Sequence, residues 1–195
     1  MIVRRIARGI VIGLAFGAYA CGGGAQPAAT TAPAPAAPAV APGAETLRAE
    51  LVKDWQGQKD MMMKIADAMP ENRFGFKATQ AERSYGEQIM HVALVNADLL
   101  KVIGGTAAAP TFTADSVKTK ADILKALGDS YDYGTALLNE QTDATITGTV
   151  DAAFLGTSTR ARVFRVLMAH SMDIYGQMAV YLRLNGIVPP ASRGV

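Results

Sequence analysis

The chain has 195 residues, 50% hydrophobic and 18% charged, and its 19 Lys+Arg against 17 Asp+Glu give a formal charge of +2. Arg4, Arg5 and Arg8 lie in the first 44 residues, where there is no acid, so the rest of the chain holds 16 basic against 17 acidic residues and a net charge of −1. A near-neutral body without a basic run offers no electrostatic footprint for DNA or RNA, and the roughly 150 residues that remain suffice for one cored domain and not two.

Residues 1–20 have the three parts of an export signal: Arg4, Arg5 and Arg8, an uncharged stretch from Gly9 to Ala20, and the small-residue end Ala18-Tyr19-Ala20. The stretch falls short of the about 20 apolar residues that span a bilayer, so it reads as a cleaved signal. Cys21 follows and is the sole cysteine. It cannot form an internal disulfide, and an exported protein rarely carries a free thiol without a use. The segment resembles a bacterial lipoprotein signal, in which Cys21 becomes the acylated first residue. That implies a protein tethered to membrane lipid through Cys21 and facing the periplasm or the cell surface. Ordinary secretion as a soluble protein is the alternative.

Residues 21–44 then read as the lipidated cysteine and a linker. From Ala25 to Ala44 there are five prolines and ten alanines without a charge, a composition that gives an extended, semi-rigid tether rather than a packed helix.

The domain begins near residue 45. Leu47, Leu51, Trp55, Gln58, Met62, Ile65 and Met69 recur at steps of three and four, the spacing of one helical face, and Pro70 stops the pattern. Of Met61, Met62 and Met63 only one can face fully inward, and core filling accounts for them. Thr79-Gln80-Ala81-Glu82 has the form of a capping box and predicts a second helix from there to Gly104-Gly105. Thr119-Lys120-Ala121-Asp122 is a weaker start of the same kind, and Leu124, Leu127, Tyr131, Gly134 and Leu138 form the third stripe. Between Asn139 and Gly156 no period is sustained. Thr145-Ile146-Thr147 alternates like a strand but is too short to build a sheet, so this stretch reads as loop.

The fourth helix is predicted to start near Thr157-Ser158 and to stop at Gly186, ahead of Pro189-Pro190. Val163, Val166, Leu167, His170, Ile174, Gln177, Tyr181 and Leu184 share its inner face. Four amphipathic helices without strand runs predict an all-α four-helix bundle over residues 45–195, and the two long connections leave room for a crossover.

The chain's two histidines fall on two of these helices. His170 lies in the middle of an apolar stripe, with Gln177 two turns on and Asp173 at the stripe's edge. On the second helix Ser84, Glu87, His91 and Asp98 share a sector with Val95 and Val102, while Tyr85, Ile89, Val92, Leu100 and Ile103 form an opposite apolar sector. Periodicity therefore leaves open whether His91 faces core or water. A lone histidine is most often a hydrogen-bonded one, but facing helices are where bundle metal sites are built.

Two separated segments carry a resemblance. Met69-Pro70-Glu71-Asn72-Arg73-Phe74-Gly75-Phe76 with Glu82-Arg83-Ser84-Tyr85-Gly86-Glu87-Gln88-Ile89-Met90-His91, and His170 through Ile174-Tyr175-Gly176-Gln177 to Pro189-Pro190, resemble the DinB family of damage-inducible four-helix bundles over about Thr46 to Ser192. The resemblance implies a divalent-metal site of three histidines, zinc, nickel or manganese being the candidates. His91 and His170 match two of its ligands, and Ile174 stands at the third. Asp173 or Glu87 would have to supply a carboxylate to complete a two-His-one-carboxylate set.

G-x-x-x-x-G-K-[ST], H-E-x-x-H and G-x-S-x-G do not occur, and a single cysteine excludes a C-x-x-C site. Two readings remain. One is a metal-assisted hydrolase or thiol transferase, as the resemblance implies for complete sites. The other is a non-catalytic ligand-binding or envelope-stress bundle that lacks its metal. A small molecule and a second copy of the chain are the candidate partners besides membrane lipid.

Overall fold

The computed structural model describes residues 45–115 and 118–194. The signal, Cys21 and the linker lie outside the described residues. Thr46 caps the first helix, accepting from the Ala49 N–H, and α1 runs Leu47–Asp67. Its predicted stripe is its buried face. Met62 is fully buried while Met61 and Met63 are half-buried, as the geometry of three consecutive helical residues requires.

The second helix, α2 (Tyr85–Leu99), begins five residues later than the Thr79 start that the sequence suggests. Thr79 and Glu82 close only a turn, and the Glu82 carboxylate accepts instead from the Tyr181 hydroxyl at 3.2 Å. The working capping box is Ser84 with Glu87: the Glu87 N–H donates to the Ser84 hydroxyl, and the Ser84 N–H donates to the Glu87 carboxylate at 2.6 Å. The Tyr85 and Gly86 N–H groups are taken by the carbonyls of Phe76 and Phe74, both at 2.9 Å. With its first donors satisfied from the preceding segment, the helix has no reason to start earlier. It tightens into a 3₁₀ turn, Leu100–Ile103, and stops at Gly104, whose φ is 70°.

Thr119 and Asp122 form a full capping box on α3, Lys120–Glu140. The stretch after it, read as loop, is partly ordered. Thr142 caps a single helical turn, α4 (Asp143–Ile146), and β1 (Thr149–Asp151) pairs antiparallel with β2 (Thr157–Thr159), Val150 opposite Ser158. Ile146 and Ala152 are fully buried and pin the excursion to the core. Because Thr157–Thr159 is a strand and Thr159 the cap, the last long helix, α5, spans Arg160–Leu184. Its predicted end holds. Gly186, at φ 71°, donates to the Arg183 carbonyl and Ile187 to that of Leu182, at 3.0 and 2.9 Å, a Schellman closure. Leu184, placed on the inner face by periodicity, is exposed on this last turn.

Contacts between helices set the ring order. α1 and α2 each pack on both α3 and α5, so the four long helices run α1–α3–α2–α5 around the core. Arg48 bonds Asn139 while Lys120 meets Asp67, so α1 and α3 are antiparallel. Gln88 bonds Gln177 and Arg160 bonds the Ile103 carbonyl, so α2 and α5 are antiparallel too. Gln58 to Met172 and Arg73 to Asn185 run in the same sense, making α1 and α5 parallel. The topology is therefore up-down-down-up, and the long connection after Gly104 must return along the bundle before α3 begins. Glu140 holds its start, accepting from the Thr106 and Ala107 N–H groups and the Thr106 hydroxyl at 2.7–3.0 Å.

Candidate functional site

His91, on the second turn of α2, meets His170, near the middle of α5, across the antiparallel seam. Their Nε2 atoms are 3.1 Å apart, with ring centroids 4.9 Å apart and planes inclined at 71°. Sequence periodicity could not place His91. The reason is visible in α2: Tyr85, Ile89, Val92, Leu100 and Ile103 are fully buried, so they face the core, and His91 lies half-buried on the side turned to α5. At 3.1 Å one neutral imidazole donates from Nε2 and the other accepts.

The rest of the seam is polar one turn away. The Gln88 amide donates to the Gln177 oxygen at 2.7 Å, and the Gln177 amide donates to Asp173 at 3.1 Å. Gln88 was not read from the sequence as a site residue; its place one turn before His91 was the available signal. Ile174 is 3% exposed within the core. Glu87 is engaged by the Ser84 N–H and by Lys77 at 3.7 Å, which holds its carboxyl below the usual range. Asp173 is engaged by Gln177. Among the described residues no group of three His, Cys, Asp or Glu side chains converges. The Nδ1 of His170 and the Oε1 of Gln88 are buried without a partner.

Arg83 is the charged residue the sequence did not single out. It lines an open cleft of about 440 Å³ together with Lys77, Glu82, Glu87 and His91. Burial foremost, and then the Arg83 charge, push the His91 pKa down; burial also pushes His170 down, partly offset by Asp173. Both imidazoles are thus held neutral.

This has a measurable consequence. A base whose folded pKa lies below its unfolded value of 6.5 is bound by fewer protons in the folded state than in the unfolded one over that interval, so stability is complete above about pH 6.5 and falls as the pH drops below it. The melting temperature should decline between pH 7 and pH 5, and His91→Gln, which keeps a hydrogen-bonding side chain but no titrating ring, should flatten the decline. Asp122, Glu87 and Glu140 also have lowered pKa values, but from ordinary values of 3.8 to 4.5, so their effect lies at lower pH. Equal slopes for both proteins would show that the pair does not carry the dependence.

With the helices and the histidine pair in place, comparison with known proteins is informative. Among solved structures, a DinB-like protein from Bacillus cereus is 18% identical with a TM-score of 0.64, covering 72% of this chain and 93% of that one. A DinB-like protein from Bacillus subtilis is also 18% identical, with a TM-score of 0.58, covering 75% of this chain and 99% of that one. At that identity the two likenesses speak to the fold alone. No curated protein matches the chain. The profile of the DinB superfamily matches residues 54–178, more than half of the sequence and all of the segment between the two histidines, and on that match, over a bundle of the same fold, the chain belongs to the DinB superfamily.

Proposed function

We propose that the chain is an exported, membrane-tethered bundle of the DinB superfamily that binds a small ligand and does not hold a resident metal firmly. The observation that carries this reading is the closure of the histidine pair on itself, Nε2 to Nε2 at 3.1 Å, with buried Ile174 at the position where the family resemblance calls for a third imidazole. Protein zinc sites use three ligands with an open position or four without one, and two imidazoles fall short of both. A ligating histidine also usually donates its second nitrogen to a partner that orients it, whereas the Nδ1 of His170 is buried with none. These residues do not fit a tightly held divalent ion, and no reaction step is routed through one. Cys21 and the Pro/Ala linker support the tether.

A metal-assisted hydrolase or thiol transferase is the second reading, favoured by the two Nε2 atoms facing one another. The test is elemental analysis of the full chain purified without a histidine tag, alongside fractionation of wild type and Cys21→Ala. Far less than one divalent ion per chain is expected, with wild type in the membrane fraction and Cys21→Ala released from it. One tightly bound ion per chain would favour the second reading. A soluble, unacylated wild type would remove the tether.

A further inference from the structure

Positive charge in the domain is gathered at its C-terminal end. Residues 45–151 hold 11 basic against 16 acidic side chains, whereas from residue 152 onward there are five arginines, Arg160, Arg162, Arg165, Arg183 and Arg193, and one acid, Asp173. Charge divided along a chain in this way points to a charged surface as partner. None of the five arginines, nor Asp173, takes part in an ion pair among the described residues. Arg160 and Arg162 donate to the Ile103 and Leu155 carbonyls and serve the fold. Arg165 and Arg183 are exposed on the outer face of α5. The tail folds back beside Arg183, which donates to the Ser192 hydroxyl at 3.4 Å, and Arg193 donates to the Val188 carbonyl at 3.2 Å.

The same face is apolar where solvent would favour polar side chains. Five large hydrophobic side chains are exposed among the described residues, and four of them, Met172, Val180, Leu184 and Val188, lie on α5 and its tail. At 100° per residue Arg165, Met172, Val180, Arg183 and Leu184 fall within a sector of about 120°. Gly176 lies among them, and a Cβ built there would meet nothing within 4 Å, so the band is open along its length. A contiguous exposed apolar band marks a protein or membrane contact, and arginines along its edge can lay their stems on it while the guanidinium groups reach outward. The flanks do not cancel the charge. On the side of α1 next to α5, exposed Glu50, Asp54 and Asp60 stand against Lys53 and Lys64; along α2 and the segment before it, Glu82, Glu87 and Asp98 stand against Lys77, Arg83 and Lys101.

We infer that the outer face of α5 and its tail docks on an anionic lipid bilayer, Met172, Val180, Leu184 and Val188 entering the headgroup boundary and Arg165, Arg183 and Arg193 meeting lipid phosphate. The inference rests on the tethered reading above and names the face of the domain that lies against the membrane. Basic side chains beside exposed apolar ones are the composition of an interfacial helix, and the charge is opposite to that of an anionic leaflet. A second copy meeting this face across a two-fold axis would bring two surfaces of the same net charge together. The 24 residues from Cys21 to Ala44 lead into α1, which is packed beside and parallel to α5. At about 3.1 Å per residue such a tether reaches roughly 70 Å, about twice the length of α5, so it allows the helix to lie flat.

The test is co-sedimentation of the full chain carrying Cys21→Ala, which has no acyl anchor, with vesicles of mixed phosphatidylglycerol and phosphatidylcholine. The protein should bind these and not vesicles of phosphatidylcholine alone, and about 1 M salt, where the Debye length is about 3 Å, should release it. Arg165→Gln and Arg183→Gln should each weaken binding about fivefold, and Val180→Ser combined with Leu184→Ser about tenfold. All four side chains are exposed, so the variants keep the fold. Equal binding to both kinds of vesicle, or binding that none of these changes moves, overturns the inference. A dimer in sedimentation without lipid that Val180→Ser with Leu184→Ser dissolves would assign the face to a second copy and overturn it likewise. Fractionation of wild type is read separately. An acylated wild type whose Cys21→Ala form ignores anionic vesicles defeats this inference alone, and an unacylated wild type whose Cys21→Ala form binds them loses the tether and keeps the docking face.

Discussion

Trp55→Ala is expected to lower the free energy of unfolding by about 3–5 kcal/mol, the range for deleting a large buried aromatic side chain. Trp55 is fully buried in the ring of helices, 4.8 Å from the Tyr131 ring and 5.3 Å edge-on from Phe164. Its indole N–H donates to the Tyr131 carbonyl at 2.8 Å, and that carbonyl also accepts from the Thr135 hydroxyl at 3.1 Å. The carbonyl therefore keeps a partner when the indole is gone, and the loss is one of packing. Gly134 supplies the other half of the contact: a Cβ built there would lie 2.5 Å from Cζ2 of the indole.

Two effects oppose each other in Gly134→Ala. Replacing a mid-helix glycine gains about 1 kcal/mol of helix propensity, while forcing a methyl against a ring fixed on both sides costs about 1–3 kcal/mol. The variant should be net destabilised in the wild-type background and stabilised in the Trp55→Ala background, where the void receives the methyl. Urea denaturation of the four proteins reads the coupling directly. If the two single changes add within about 0.5 kcal/mol, close approach to the indole is not what requires glycine at 134.

Ile174→His should convert the histidine pair into a metal site. Position 174 is one turn from His170 on the same face of α5, and it is the position that the family resemblance assigns to the third imidazole. Without metal the change should cost about 1–3 kcal/mol, as a polar ring replaces a buried isoleucine. With zinc, nickel or manganese at a hundredfold excess over Kd, binding to the folded state alone returns about 2.7 kcal/mol. Thermal melts of wild type and variant with and without each ion should show a large metal-dependent rise for the variant and little for wild type. A wild type that gains as much would mean that a further donor such as Asp173 completes the site. No response from either would mean that the imidazole lone pairs cannot reach a common ion.

Much of this site was legible before the fold was known, because its first requirements are local. The inward direction of His170 follows from its place in a 3.6-residue stripe, and a resemblance carried by two short motifs paired it with His91. What each carboxylate does was not legible. Glu87 lies one turn from His91 in sequence and suggests a ligand, yet in the structure it completes the cap on Ser84. Arg83 lies inside the first of those motifs with no role attached to it; its relevance comes from the fold, which sets its charge where it acts on two imidazoles 8 and 87 positions away in the chain.

The sequence alone determined the helical content, the burial of Trp55, Met62 and Tyr131, and the stops at Pro70 and Gly186. Each of these follows from interactions within a few residues or from composition, for which the chain carries the full information. Only the tertiary structure decided which of two competing caps starts α2, that the ring runs α1–α3–α2–α5, that a short β-ribbon rather than loop precedes α5, and on which side of α2 His91 lies. Those outcomes turn on donors and acceptors brought together from distant positions: the Phe74 and Phe76 carbonyls that receive the first N–H groups of α2, and the antiparallel seam that sets one imidazole against the other. No periodicity records such pairings, because each partner's local pattern is satisfied whether or not the other arrives.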